Sequence, residues 1–188
     1  ETLYESRFDP ALRVAVKVPL RRPVLINYRV GEAVFEKQPD SADIALLAKI
    51  ERLAFPVSFP ADRMMHAPDH LERWGDKWRA GTASFTHVHH LFLSRPLLAL
   101  AWLWGKAKTH SDARLRNMLL FFIEQAIWTM SLLNRYRPTG YSQVNQFLTG
   151  VYYVPSQHSE CSPWYTLNGK LTRLVRAFST YPADERNG

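Results

Sequence analysis

The chain has 188 residues and one cysteine, Cys161, so it can form neither an internal disulfide nor a cysteine-based zinc site. Such thiol usage fits a reducing, intracellular compartment, and a cytoplasmic location is expected. Its eight glycines are scattered and no Gly-rich phosphate loop occurs. No HExxH-type metalloprotease spacing is present. Long apolar runs are also lacking. The nearest, MLLFFIEQAIWTMSLL at 118–133, covers sixteen positions and carries Glu124 and Gln125 in its middle. A membrane span needs about twenty positions with few charges, so a buried core helix is expected and no membrane partner. The opening ETLYESRFDP is charged and has no apolar signal-peptide core. It also lacks an initiator Met, and with the polar tail YPADERNG this suggests a segment of a longer protein. No internal repeat or low-complexity tract is visible.

What is present is core material and positive charge. Hydrophobic residues make up 46% and aromatics 13%, enough for a packed core rather than disorder. The net charge of +7 and pI near 9.7 favour an acidic partner such as nucleic acid. The charge is uneven. Residues 86–188 hold eleven Lys and Arg against five acids, a net +6, whereas residues 1–85 stand at +1. A polyanion-binding surface is therefore expected in the C-terminal half.

The patterning predicts an α+β fold, with an N-terminal β-hairpin or small antiparallel sheet followed by a mainly helical C-terminal half. LRVAVKVPL alternates as a half-buried strand, with Val14, Val16 and Val18 on one face and Arg13 and Lys17 on the other. PVLINYRV, a tight turn at Gly31-Glu32 and AVFEKQP read as a hairpin. Ser41 or Asp40 then caps a helix over ADIALLAKIERLA. Strands and this helix occupy 1–54. Residues 55–85, with three prolines and with Trp74 and Trp78 as anchors, read as a long ordered linker loop. Residues 86–188 read as a helical basic subdomain. Ser94 is the expected cap of RPLLALAWLWGKAK, and Ser111 of a helix reaching about Asn134 that is apolar nearly all round. A short strand GVYYVP and an amphipathic helix from about Trp164 to Phe178 follow. That last helix should turn Leu167, Leu171, Leu174, Val175 and Phe178 inward.

Three histidines, His87, His89 and His90, crowd into FTHVHHLF. Helical spacing puts His87 and His90 on one face, and extended spacing puts His87 and His89 there. Either way the stretch supplies two metal ligands comfortably, while a site needs three or four. The others would have to be His66, His70, His110, His158 or a distant carboxylate. Helix-entry histidines are the favoured reading, with no metal site expected, and a metal-dependent enzyme built on the cluster is the alternative. Cys161 near His158 is weaker as a nucleophile pair, since closeness in sequence is not the spatial arrangement required.

Five pieces occur in an order with a counterpart elsewhere: RPVLINYRVGEAVFEKQPDSADIALLAKIE; then FPADRM and WGDKWRAG; then THVHHLFLSRPLLALAWLW; then NRYRPTGY; then GVYYVPSQHSE. This order resembles one region of bacterial site-specific DNA methyltransferases of the exocyclic-amino type, which modify adenine or cytosine. The likeness covers about residues 12–178. It implies an inserted middle region, lying between the S-adenosylmethionine-binding and catalytic parts of a parent enzyme. The family's DPFxGxGT-like cofactor loop, its DPPY-like catalytic motif and its cysteine pairs are all missing here. Ser94-Arg95-Pro96 also departs from the usual Thr-x-Arg-Asn-like pattern. No catalysis and no cofactor are therefore expected of this chain. S-adenosylmethionine is expected of the parent, with double-stranded DNA and the parent's remaining domains as partners.

A base-modifying methyltransferase must flip its target base, and an insert can supply phosphate and base-edge contacts. The first candidates are Arg135, Tyr136, Arg137 and Tyr141 in NRYRPTGY, cations and aromatics on a turn shaped by Pro138 and Gly140. The second are Lys106, Lys108, Arg114 and Arg116, a positive corner between two core helices. A protein-interaction or scaffold module docking on the parent is the competing reading.

Overall fold

The computed structural model describes residues 3–53, 59–64, 85–140, 143–144 and 154–180. It is α+β, with small antiparallel sheets at the N-terminus and helices after them, as the patterning predicts. Chain contacts divide it into two units, Glu1–Ala54 with Pro60–His90, and Phe55–Phe59 with Leu91–Gly188.

The first unit opens with a hairpin of β1 (Tyr4–Asp9) and β2 (Val14–Pro19), paired from Tyr4↔Pro19 to Asp9↔Val14. β1 was not expected, because YESRFD carries charge at every other position and little apolar alternation. Its turn over residues 10–13 is closed by the Arg13 N–H donating to the Asp9 carbonyl at 2.8 Å, with Arg13 in the left-handed region at φ 58. β3 (Ile26–Val30) and β4 (Ala33–Lys37) form the expected second hairpin. Gly31 takes the positive φ that its two-residue turn requires, and Tyr28 stacks on Phe35 across the strands with centroids 5.5 Å apart. α1 (Ser41–Glu51) is capped by Asp40, whose side chain accepts from the Ala42 and Asp43 N–H groups while Asp43 accepts from Asp40 N–H. This reciprocal box satisfies donors that helix geometry leaves orphaned. No residue of α1 is buried. Among the described residues of this unit, only Asp9, Phe85 and His89 are buried.

The second unit holds α2 (Ser94–Lys108), α3 (Ala113–Glu124), the short α4 (Ile127–Met130), β5 (Asn134–Arg135), β6 (Gln143–Val144) and α5 (Pro163–Thr180). Two caps differ from expectation. Ser94 is already helical, with Leu93 at the cap and no side-chain bond there. Asp112, not Ser111, caps α3, its carboxylate taking the Leu115 N–H at 2.8 Å. The helix expected to run to Asn134 stops at Glu124. There the Gln125 and Ala126 N–H groups bond three residues back, to Phe122 and Ile123, tightening the last turn. The break carries the fully buried Ala126 into the core.

That core is Leu100, Ala107, Ile123, Ala126, Met130 and Leu167, drawn from α2, α3, α4, α5 and the break. α3 is not apolar-packed all round. Only Ile123 of it is buried, and Leu115, Met118 and Phe121 are exposed. α5 likewise buries Leu167 alone; Leu171, Leu174, Val175 and Phe178, expected inward, are exposed. Residues 150–153 of the expected strand GVYYVP and most of the 55–85 loop, with Trp74 and Trp78, lie outside the described residues, and Val154 and Pro155 are not in a strand. Among the described residues no helix is long and apolar enough to cross a membrane.

Asn134, 0% exposed, locks the end of the helical run to the segment before α5. Its side-chain amide donates to the Thr129 carbonyl at 2.9 Å and the Ser159 carbonyl at 2.7 Å, and leans 3.5 Å from the Cys161 sulfur. Its own carbonyl accepts from the Ser159 N–H at 2.8 Å. Asn134→Ala removes the amide donor of the Ser159 carbonyl, while the Thr129 carbonyl keeps the Cys161 N–H at 3.3 Å, so the cost is about 1–3 kcal/mol. Urea unfolding should show a clear drop in midpoint for Asn134→Ala and a change within about 0.5 kcal/mol for the neighbouring exposed Arg135→Ala.

Candidate functional site

The first unit is centred on polar side chains that sequence reading did not bring together. Residues 62–64 and 86–88 run antiparallel, with Met64 N–H donating to the Thr86 carbonyl and Val88 N–H to the Asp62 carbonyl. A 3₁₀ turn over Val88–Leu91 follows and carries His89 and His90 to Asp9, at the end of β1. His89 Nε2 lies 2.7 Å and His90 Nε2 2.9 Å from the same oxygen, Asp9 Oδ2. The other oxygen, Oδ1, accepts from the Ala11 and Leu12 N–H groups at 2.9 and 3.1 Å. One carboxylate thus closes its own hairpin turn and gathers two imidazoles from 80 residues away. His87 completes the group, its ring centroid 5.8 Å from that of His89 and 5.3 Å from that of His90.

The hydrogen bonds fix protonation. Thr86 N–H donates to His90 Nδ1 at 3.2 Å, so in the neutral ring Nε2 bears the proton and donates to Asp9. Burial pushes the Asp9 carboxyl up. The hydrogen bonds from His89, His90 and the Leu12 N–H outweigh that and hold its pKa at about 2. It is an ionised carboxylate at neutral pH. His87 is shifted down, chiefly by burial, with the Asp9 carboxylate opposing the shift and Arg63 adding to it, so its ring favours the neutral form.

One ligand atom each from Asp9, His89 and His90 lies within 4.8 Å of the others, close enough to hold a metal ion. The distant carboxylate that the histidine stretch needed is Asp9. The signal at Asp9-Pro10 in the sequence is a turn signal, and it gives no hint of a partner near residue 90. An ion held at His90 Nε2 would require the ring proton at Nδ1, which now accepts the Thr86 N–H at 3.2 Å. His110 and His158 lie in the second unit, while His66 and His70 are outside the described residues. Cys161 Sγ lies 3.5 Å from the Asn134 amide, a structural contact.

The basic candidates occupy two places in the second unit. Arg135 in β5 is exposed, Tyr136 half-buried with its N–H donating to the Gln157 carbonyl, and Arg137 exposed. Tyr141 lies outside the described residues. At the turn between α2 and α3, Lys106, Lys108 and Arg114 are exposed. Lys106 sits over the Trp102 ring, 5.5 Å from its centroid. Arg116 differs from these three: half-buried, it donates to the His110 carbonyl at 3.0 Å and holds the turn. Arg95 pairs with Glu160 at 2.6 Å.

Comparison with family models, curated proteins and solved structures returns no match.

The titrations set an acid limit on the first unit. A lowered folded-state pKa means that the unfolded chain binds more protons, so stability is complete above the unfolded value and falls with pH. In chelator-treated protein, stability should decline as pH falls below about 6.5 for His87 and further from about 4 to about 2 for Asp9. Urea midpoints across this range measure it. His87→Gln should flatten the upper limb and leave the lower one.

Proposed function

We propose that the chain is a non-catalytic, DNA-contacting insert of an S-adenosylmethionine-dependent DNA methyltransferase acting on an exocyclic amino group. The motif order supports the methyltransferase parent, and the cytoplasmic setting of such an enzyme accords with the single cysteine. One structural observation carries the DNA-contacting reading. Arg135 and Arg137 are exposed on either side of half-buried Tyr136, in a segment anchored by fully buried Asn134. Cations on an anchored backbone meet phosphates with little ordering cost, and phosphate contacts set register rather than sequence preference. Lys106, Lys108 and Arg114 supply a second group of exposed cations, with Arg116 shaping the turn that bears them. The methyl donor and the chemistry belong to the parent.

A second reading rests on α5. Its exposed Leu171, Leu174, Val175 and Phe178 recur at helical spacing, as on a helix that packs against another body. A module that only docks on its parent would bind DNA weakly or not at all.

Fluorescence anisotropy of a labelled duplex separates the two. Six phosphate contacts lower affinity about a thousandfold between 50 and 200 mM salt. Arg135→Ala with Arg137→Ala should weaken binding and make the salt slope shallower by about two contacts' worth, ~1.8 in log–log terms. Absence of binding at low salt sinks the DNA reading and leaves the docking module.

A further inference from the structure

We propose that Asp9, His89 and His90 form a binding site for a divalent first-row transition ion of the zinc class, and that the ion staples the first unit together. Three observations meet here. The ligand atoms already converge, on side chains that are buried or nearly so. Asp9 is only 4% exposed, and its side-chain partners among the described residues are the Ala11 and Leu12 N–H groups and the two histidine rings, with no Lys or Arg among them. A buried charge of that kind calls for a cation. Finally, Phe85 is the only buried apolar residue among the described residues of this unit. Units that cannot build an apolar core are commonly held by a metal instead.

The donor chemistry narrows the ion. Two imidazoles and one carboxylate suit zinc and its first-row neighbours, whereas magnesium and calcium prefer all-oxygen shells. The proton balance closes without releasing a proton to solvent. Taken in their neutral forms, the two imidazoles each shift the proton from Nε2 to Nδ1 as Nε2 takes the ion, and the Asp9 carboxylate supplies the negative charge. For His90 the new Nδ1–H faces Thr86 Oγ1, now 3.5 Å away, and the same hydroxyl bonds His87 Nδ1 at 2.8 Å. Thr86 is thus an outer-shell positioning residue for two rings. His87 stands beside the three ligands, where it or a water completes the shell.

The test uses the whole purified chain, stripped with chelator, dialysed against Zn²⁺ and measured by elemental analysis, with Co²⁺ absorption as an independent report of nitrogen ligation. We expect about one ion per chain, a melting temperature raised by Zn²⁺, and d–d bands from bound Co²⁺. Thr86→Val, which leaves the three ligands in place, should weaken binding about 10–100-fold. Asp9→Asn should abolish it, and Cys161→Ser should leave it unchanged. Wild-type protein that retains no zinc and melts at the same temperature with or without it overturns the site. So does undiminished binding in Asp9→Asn, or loss of binding in Cys161→Ser.

Discussion

The first unit depends on one carboxylate. Asp9 Oδ1 closes the β1–β2 turn through two backbone N–H groups, and Oδ2 receives two histidine rings from a segment 80 residues further on. The local bonds place the second oxygen, because a side chain pinned by its own turn has little rotamer freedom left. The long-range bonds in turn stabilise a hairpin that would be marginal alone. Removing the Asp9 side chain would therefore remove two bonds within the turn together with the tie, leaving the backbone bond from Arg13 N–H. Its sequence context, a polar strand ending at a proline, gives no sign of this.

The second unit follows a different rule. Helix faces supply its core, and a fully buried polar side chain, Asn134, locks the segment before α5 to it. Ala126 and Asn134 are both fully buried, and they bracket the short α4. Sequence periodicity treats this stretch as one long helix because its apolar residues keep helical spacing through the break. What periodicity cannot register is that Gln125 and Ala126 bond three residues back, and that Asn134 prefers three partners across the chain to a helical position.

Legibility follows the range of the forces involved. The β3–β4 hairpin was readable because Gly31 and the flanking β-formers act within a few residues. The start of α1 was readable to within a residue because Asp40 and Asp43 cap it locally, whereas its end, expected near Ala54, comes at Glu51. Asp9 was not, because a turn-forming Asp and a histidine-binding Asp look alike in sequence. Burial was the least legible property. The apolar stripe of α5 reads as an inward face, yet a stripe records only that something covers it, and beyond Leu167 it is not covered within the described residues. The cations were readable as residues but not as roles. Arg135 and Arg137 stand exposed, whereas Arg116, alike in type, is spent on holding a carbonyl.

α5 is anchored near its start, by Leu167, by the Thr166–Thr129 hydroxyl pair at 2.7 Å and by Lys170, which donates to Gln125 at 3.4 Å. Leu167 lies in the core, and the three turns beyond it have no buried side chain. Helix propagation without tertiary support is close to thermoneutral in water. The distal half of α5 is therefore a separate cooperative element, whose amide protons exchange through local fraying while those near Leu167 wait for the unit itself to open. A partner that covers the stripe would couple the two halves, and slowed exchange at residues 171–178 would register its arrival without any change in the rest of the fold.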